Sequence, residues 1–442
     1  MIEDLGINYQ EIIKNLDRIA NLPRHLISDG YDEALEIIKE IAIQNGFEFI
    51  IHSFPTGYDC GTWIVPEKWT LNRSTLTSKS GEIILDSNKD PLSCVSYSES
   101  FNGEVNREDL LKHIYTSPYQ PNATPFIFKY YKREWGLCCS EEIKRTLTDE
   151  YYHVNIDTTF SNGELKVGEI ITKGKIDESF VYLSHLCHPY QVNDGPIGIF
   201  PLMEIIKKLK ESGNNYTIRQ LIVPENIGSA AWLSKNKLLI PKLKGGLFVE
   251  MIGTDLKLRV NHSFSRNSVV DDITSHVLDD LDIDYYDDDF VYANDEKQFN
   301  GPGVNVPILG VNRSNMTRKT EIMHAFDFYH TSLDTMSNID SNNMRESIYV
   351  INELIIAFDN YLIKPSPCFI GEPFLSRYNL HIDAFEGMDQ HRSNEEMMDL
   401  IFYSGKNLTV YEISNVMNIS MKKAKNVYDK LHEKGLIEFT SF

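Results

Sequence analysis

The sequence lacks any long uncharged apolar run, and no stretch approaches the roughly 20 residues that a membrane-spanning helix needs. Its first residues are acidic and amphipathic, without the basic segment and apolar core of a secretory signal. A disulfide framework is excluded as well, because the 6 cysteines are scattered and the neighbours Cys138 and Cys139 cannot easily bridge to each other. We therefore expect a cytoplasmic protein with reduced thiols and no membrane partner.

Positive charge is also scarce. The chain has 43 Lys and Arg residues against 64 Asp and Glu residues, which gives a net charge of -21 at pH 7. A phosphate backbone or an anionic lipid surface repels such a protein. The composition therefore argues against a nucleic acid as the main partner.

Differences in composition and residue pattern divide the chain into three parts. Near-continuous Ile, Val and Leu strands alternate with helices in residues 1–56 and 154–364, which predicts an α/β fold with a mixed, mostly parallel sheet and helices on both faces. Residues 57–153 are rich in aromatic and turn residues and predict a mostly β insert domain whose aromatic side chains form its own core.

Residues 378–442 predict a winged helix-turn-helix domain, with three helices and a strand. Thr409 and Glu412 have the spacing of a capping box, Ser420 could cap the third helix, and Gly435 is a good C-terminal stop. One alternative is a regulator that binds DNA through lysines of the third helix. Because the tail as a whole is near neutral, we favour a protein partner or homo-oligomer at this domain.

Two histidines and an acid stand in the stretch VYLSHLCHPYQVND, where an apolar strand ends. His185 is nearer the strand end and His188 is closer along the chain to Asp194, so either could be a metal ligand. Asp194 precedes a helical run, where its carboxylate could bridge two metals or act as a simple N-cap. In open α/β sheets, sites form at the carboxyl ends of strands.

Three further stretches repeat this pattern. Glu225 and Glu250 each follow a buried apolar strand, where an unpaired carboxylate is costly unless it binds a metal, pairs or is protonated. His330 lies in the aromatic run FDFYHTSLD, and Asp334 could accept a hydrogen bond from its second ring nitrogen or could cap the next turn. Imidazole and carboxylate groups are the ligands that zinc uses in hydrolases, and such an enzyme needs a spare carboxylate as general base, the role we predict for Glu225.

With these residues in place, the chain resembles the zinc aminopeptidases that bind two metals on an α/β fold. It is most similar to a bacterial branch with an aminopeptidase-like domain, a β insert and a winged-helix tail, some members of which are described as polysaccharide-biosynthesis proteins. The resemblance implies the following matches: His185 (or His188) with the first histidine, Asp194 with the bridging aspartate, Glu225 with the general base, Glu250 with the later acid, and His330 with the late histidine.

Three positions depart from the family pattern. Cys187 stands where an aspartate usually supports the histidine, Asn226 stands where a second metal-binding glutamate is expected, and Gly195 follows Asp194 in place of the usual Asn. A neutral amide oxygen is a poorer zinc ligand than a carboxylate. We therefore expect one firmly held zinc ion and a weaker second one.

The segment DEKQFNGPGVNVP resembles the part of these enzymes that shapes the substrate pocket. Asp295 and Glu296 could meet a substrate ammonium, and Arg313 could meet a carboxylate. The expected function is a zinc-dependent exopeptidase or related amide hydrolase with a peptide or small amide as substrate. The alternatives are a non-catalytic metal- or ligand-binding protein, which Cys187 and Asn226 motivate, and a regulator acting through the tail.

Overall fold

The computed structural model describes residues 5–317, 324–380 and 388–442, with the backbone alone for residues 388–394. The parts of the three predicted domains that fall on residues 1–4, 318–323 and 381–387 lie outside the described residues.

The described residues form helices that are spread over the whole chain. They are α1 (Tyr9–Ala20), α2 (Asp29–Gln44), α3 (Arg107–Lys112), α4 (Glu141–Thr146), α5 (Ile199–Ser212), α6 (Ile227–Lys235), α7 (Val269–Asp280), α8 (Glu296–Asn300), α9 (Ser341–Tyr361), α10 (Met388–Tyr403), α11 (Val410–Met417) and α12 (Met421–Glu433). No helix in these described parts is both long enough and apolar enough to cross a lipid bilayer.

The strands are of very different length. They are β1 (Glu48–Pro55), β2 (Lys68–Thr77), β3 (Ile83–Asp86), β4 (Phe101–Asn106), β5 (Ile114–Tyr115), β6 (Leu137–Cys138), β7 (Tyr151–Ser161), β8 (Glu164–Thr172), β9 (Ile176–His185), β10 (Tyr216–Val223), β11 (Leu243–Val249), β12 (Leu258–Asn261), β13 (Tyr285–Asp288), β14 (Ile308–Asn312), β15 (Ile363–Pro367) and β16 (Ile437–Ser441).

An eight-stranded mixed sheet forms the centre of the molecule, in the order β1-β8-β10-β9-β11-β14-β12-β13. The four central strands β10, β9, β11 and β14 are mutually parallel, and antiparallel strands flank them on both sides. The predicted fold class is confirmed. Parallel neighbours end at the same edge of a sheet, so the residues that follow these four strands are brought together.

Both faces of this sheet are covered by apolar side chains. Phe180 and Tyr182 of β9 enter the core on one face, whereas Val181 and Leu183 enter the core on the other, and all four are at most 1% exposed. Successive side chains of a strand point to opposite faces, so a strand buried on both sides reads as a continuous apolar run.

The insert builds a four-stranded antiparallel sheet in the order β3-β2-β7-β4. Strand β7 pairs with β2 from His153 to Ser161, so this sheet extends beyond residue 153, at which the sequence predicts the insert to end. Trp69 and Leu76 of the insert share one core with Val181 and Leu183 of β9. The insert therefore packs directly on the central sheet.

The C-terminal tail contains α10, α11, α12 and β16. Thr409 and Glu412 form the predicted capping box, Ser420 caps α12, and Gly435 follows that helix with φ of 68°. The final strand pairs with β15, which precedes the tail in the chain, from Ile363–Ser441 to Pro367–Ile437.

The tail packs on the core of the central sheet, and Phe442 contacts Phe180 and Tyr216. Tyr216 begins β10, so this contact lies at the opposite end of that strand from Glu225. On α12, Lys423 pairs with Glu396 and Lys425 pairs with Asp429, which reduces the positive charge that the helix offers to a nucleic acid.

Candidate metal centre

The carboxyl ends of the central parallel strands carry the predicted site residues. His185 is the last residue of β9, Glu225 lies two residues beyond β10, and Glu250 follows β11 directly. The turn after β9 brings His188 and Asp194 to the same edge. His330 comes from a separate loop before α9, and its Nε2 atom lies 2.8 Å from Oδ2 of Asp194.

Three of these side chains are close enough to share a cation. The nearest ligand atoms of His185, His188 and Asp194 all lie within 4.8 Å of one another. Glu250 joins them, since its Oε2 atom is 3.5 Å from Nδ1 of His185. The sequence left open whether His185 or His188 faces the site, and the structure brings both histidines to it.

Four potential metal-ligand atoms at this edge are buried and make no hydrogen bond of good geometry. They are His185 Nδ1, Asp194 Oδ2, Glu250 Oε2 and His330 Nε2, and they face one another in two imidazole–carboxylate pairs, at 2.8 Å for His330 with Asp194 and 3.5 Å for His185 with Glu250. Buried polar atoms without well-aligned hydrogen bonds are costly, and four of them from separate parts of the chain favour a shared cation. Two imidazole nitrogens and two carboxylate oxygens are a donor set that zinc accepts, so the residues fit the ion.

The electrostatics of the site also favour a bound cation. Burial would lower the pKa of His185, but the carboxylates of Asp295 and Glu250 raise it to about 10. Burial raises the pKa of Glu250 well above its usual value, and the charge of Asp194 raises it further. Such a concentration of acids in a low-dielectric site is stabilised by positive charge, which a metal ion supplies.

Asp295 has a different position from the one expected for it. Its carboxylate contacts Nε2 of His185 and accepts the backbone N–H of Asn226 at 3.0 and 3.1 Å. It is fully buried, so a substrate ammonium does not reach it. Asp295 instead orients His185 so that Nδ1 faces Glu250, a supporting role that the family pattern gives to the position of Cys187.

Asp334 also has other partners than expected. It was expected to accept from His330, but its carboxylate accepts the backbone N–H groups of Val192, Asn193 and Asp194, at 3.2, 3.0 and 2.9 Å. The expected hydrogen bond with His330 is not formed, because the three backbone N–H groups converge on the Asp334 carboxylate and occupy it. Asp334 therefore fixes the turn that carries Asp194.

Glu225 lies at the edge of the cluster, with a side chain that is 25% exposed and Oε2 3.4 Å from Nε2 of His188. Burial opposes its ionisation, but the hydrogen bond from His188 and the charge of His185 lower the pKa of Glu225 to about 2. It is thus a carboxylate at neutral pH, which a proton acceptor requires.

Asn226 adopts a rare backbone conformation, with φ 60° and ψ -56°, and the N–H of Ile227 donates to the carbonyl of Glu225 at 2.7 Å. This γ-turn is strained for a residue with a side chain. Asn226 Nδ2 donates to Oε1 of Glu225 at 2.8 Å, so the amide contacts the Glu225 carboxylate, while its Oδ1 is buried without a partner.

Arg313 is not available to a substrate carboxylate. Its guanidinium donates to Ser347 Oγ and to the carbonyl of Leu256, both at 2.8 Å, and lies 3.2 Å from Glu346. Arg313 itself is 3% exposed and these three acceptors occupy its guanidinium, so the expected binding role is not supported. Glu296 is buried too, and burial raises its pKa to about 7.

Two contributors to the site were missed from sequence. Asn294 donates through Nδ2 to Oε1 of Glu250. Phe126 of the insert donates its backbone N–H to the carbonyl of His330 at 2.7 Å, and its ring lies edge-on to His188 and His330. The aromatic density of the insert was the available signal, but we assigned all of it to the insert's own core.

Fold and donor set together define an aminopeptidase-like α/β protein. Its structure matches that of a zinc aminopeptidase from Bacillus subtilis with a TM-score of 0.61 at 13% identity, covering 80% of this chain and 96% of that one. The chain belongs to the family described as "Domain of unknown function (DUF4910)", whose pattern matches residues 13–361.

Two matches to proteins of Clostridium acetobutylicum cover almost the whole chain. A protein of that organism, named as a polysaccharide biosynthesis protein with an aminopeptidase-like domain, is 26% identical over 97% of this chain and 96% of its own length. A crystal structure described as that of a peptidase from the same organism has a TM-score of 0.80 at 24% identity and covers 98% of this chain and 96% of that one.

Proposed function

We propose that this protein is a zinc-dependent amide hydrolase of the exopeptidase type, with a peptide or another small amide as substrate. The observation that carries the proposal is the convergence of four buried imidazole and carboxylate atoms, which make no well-aligned hydrogen bond, beside the partly exposed Glu225. His185, His188, Asp194, Glu250 and His330 would hold the metal. The names of the similar proteins from B. subtilis and C. acetobutylicum support the same class of reaction.

The protein's own residues supply positioning and proton transfer. Zinc in a site of this kind polarises a carbonyl oxygen and acidifies water. Glu225 takes a proton from the attacking water and passes it to the leaving amine. Asn226 fixes the Glu225 carboxylate through its 2.8 Å hydrogen bond, and Asp295 holds the ring of His185 in place.

Glu225→Gln tests this assignment. The substitution keeps the shape of the side chain but removes the proton acceptor, so we expect bound zinc to be retained while kcat falls by about 10²–10⁴. Metal content is measured by plasma mass spectrometry, and turnover is measured with aminoacyl-anilides on protein loaded with zinc, cobalt or manganese.

Glu164→Gln, an exposed acid of β8, is the matched control and should leave both quantities unchanged. Turnover by the wild type should disappear with a chelator and return with the metal. Hydrolysis that survives in Glu225→Gln would reject the general-base role. Zinc binding without any turnover by the wild type would favour the non-catalytic alternative.

A further inference from the structure

Three aromatic side chains of the insert, the buried Phe126, the exposed Phe128 and the partly buried Tyr130, form a contiguous cluster beside the metal centre, which we call the aromatic wall. The rings of Phe128 and Tyr130 are stacked, with centroids 4.7 Å apart and an interplanar angle of 19°. Phe126 lies 5.5 Å from Phe128 and meets the rings of His188 and His330 edge-on at 5.4 and 5.6 Å. The wall thus begins at the proposed ligands.

The wall lies where the centre is open to solvent. The side chains of His185, His188, Asp194 and Glu250 are at most 3% exposed, whereas that of Glu225 is 25% and that of His330 is 24% exposed. Phe128 is 38% exposed and its ring is 6.3 Å from that of His330. Phe128 is therefore the exposed member of the wall, and it lies beside His330, one of the two site residues that solvent reaches.

The backbone holds the wall in a fixed relation to His330. Pro125 and Thr331 form an antiparallel bridge, and the N–H of Ser332 donates to the carbonyl of Thr124 at 2.9 Å. Together with the hydrogen bond from the Phe126 N–H to the His330 carbonyl, these contacts connect the start of the wall to the loop that carries His330, a proposed metal ligand. A surface that is already in place costs little conformational entropy when a ligand binds it.

We propose that the aromatic wall determines specificity by receiving an apolar, ring-shaped group of the substrate next to the amide that is cleaved. Aromatic rings gain from offset-stacked or edge-to-face contact with such a group, in addition to the area that is buried. This inference rests on the proposed function for its substrate, but the preference for a ring comes from the wall alone.

Phe128→Ala tests the inference in the full-length, zinc-loaded protein. We compare kcat/KM for the carboxamides of phenylalanine and alanine, because both release ammonia and only the phenylalanine substrate carries a ring. We expect the phenylalanine substrate to exceed the alanine substrate by about tenfold in the wild type, and Phe128→Ala to remove most of this advantage. Phe128→Trp should retain it.

Phe402→Ala is the matched control, because Phe402 is 61% exposed and lies in the tail. It should leave the ratio unchanged. Binding of the hydroxamic acids of phenylalanine and alanine to zinc-loaded Glu225→Gln, measured by calorimetry with and without Phe128→Ala, gives the same comparison without turnover.

The outcomes separate the two proposals. Hydrolysis with equal kcat/KM for both carboxamides would overturn the role of the wall and leave the hydrolase assignment intact. Absence of hydrolysis, together with a preference for the phenylalanine hydroxamate that Phe128→Ala removes, would overturn the hydrolase assignment and retain the wall. Failure of both hydroxamates to bind zinc-loaded protein would overturn both.

Discussion

At the scale of single residues, the carboxylate that supports His185 comes from a different position in the chain than the family pattern predicts. Cys187 cannot support a histidine as a carboxylate does, and Asp295 takes that role from a different loop, beside Nε2 of His185. The carboxylate fixes which ring nitrogen of His185 faces Glu250 and would make that nitrogen a better metal ligand. The Asn226 amide, in turn, contacts Glu225, the proposed general base.

Asp295→Asn should weaken zinc binding. The amide keeps the size of the side chain but loses the charge that raises the basicity of His185, and the loss of such a partner costs about 10–100-fold in metal affinity. Competition with a chelator of known zinc affinity measures the change. Asp279→Asn, an exposed acid of α7, serves as control, and equal affinities of the two variants would show that Asp295 does not act through His185.

Much of the site could be predicted from the sequence, for a physical reason. His185, Glu225 and Glu250 follow apolar strands, and parallel strands end at one edge, so a local pattern was enough to bring them together. Asp295, Asp334 and Phe126 could not be placed in this way. The partners of these residues lie in loops that are distant in sequence, and the conformations of those loops decide which contacts form. The local sequence pattern also does not distinguish a buried acid that supports a histidine from an acid that binds a substrate.

At the scale of elements, one carboxylate joins α9 to the start of β10. Asp359 accepts the backbone N–H of Asn215 at 2.9 and 3.0 Å and that of Tyr216 at 2.9 Å, and it is 2% exposed. Burial raises the pKa of Asp359 to about 6, although these hydrogen bonds oppose the shift. The protonated form is therefore favoured in the folded state relative to the unfolded chain.

Asp359 should make stability depend on pH with a definite sign. Because its pKa in the fold lies above its value in the unfolded chain, its contribution is fully present below about pH 4 and is lost as pH rises to about 6, by roughly 2–3 kcal/mol. We expect the free energy of unfolding of the wild type, minus that of Asp359→Asn, to fall over this range in urea titrations. A difference that is independent of pH would contradict the assignment.

The elements themselves were predicted unevenly. Strands β9, β10 and β11 were expected because each contains an apolar run that is followed by a polar candidate residue. Strands β12 and β13 were not, since each has only 4 residues and β13 carries acids at the sheet edge. In the tail, side-chain caps at Thr409 and Ser420 defined the helices where apolar periodicity alone was weak.

At the scale of the whole molecule, the insert and the tail share cores with the central sheet. Leu431 of α12 and Phe180 of β9 belong to the same cluster of buried side chains, and both are at most 1% exposed. Parts that share a core are expected to unfold together. The sequence alone indicates three separate parts with different residue patterns, because it does not show which apolar faces are buried against one another.

Leu431→Ala tests this cooperativity. A buried leucine truncated to alanine costs about 2–5 kcal/mol, so the tail should be destabilised. Tryptophan fluorescence reports on the rest of the chain, since all 4 tryptophans (Trp63, Trp69, Trp135 and Trp232) precede the tail.

If the chain unfolds as one unit, the midpoint of the fluorescence transition in urea should move to a lower concentration in Leu431→Ala. Val416→Ala, at a position that is 59% exposed in the same tail, should leave the midpoint in place. An unchanged midpoint in Leu431→Ala would show that the tail unfolds independently.

The backbone bridge between Pro125 and Thr331 also affects the order of events during synthesis on the ribosome. The strip of the insert that meets Thr331 is made early, but it finds this partner only after almost the entire α/β region has emerged. A nascent chain that stops before His330 lacks one proposed ligand and leaves Phe126 without its acceptor. The proposed metal centre would therefore be completed late in synthesis, after the loop that carries His330 has emerged.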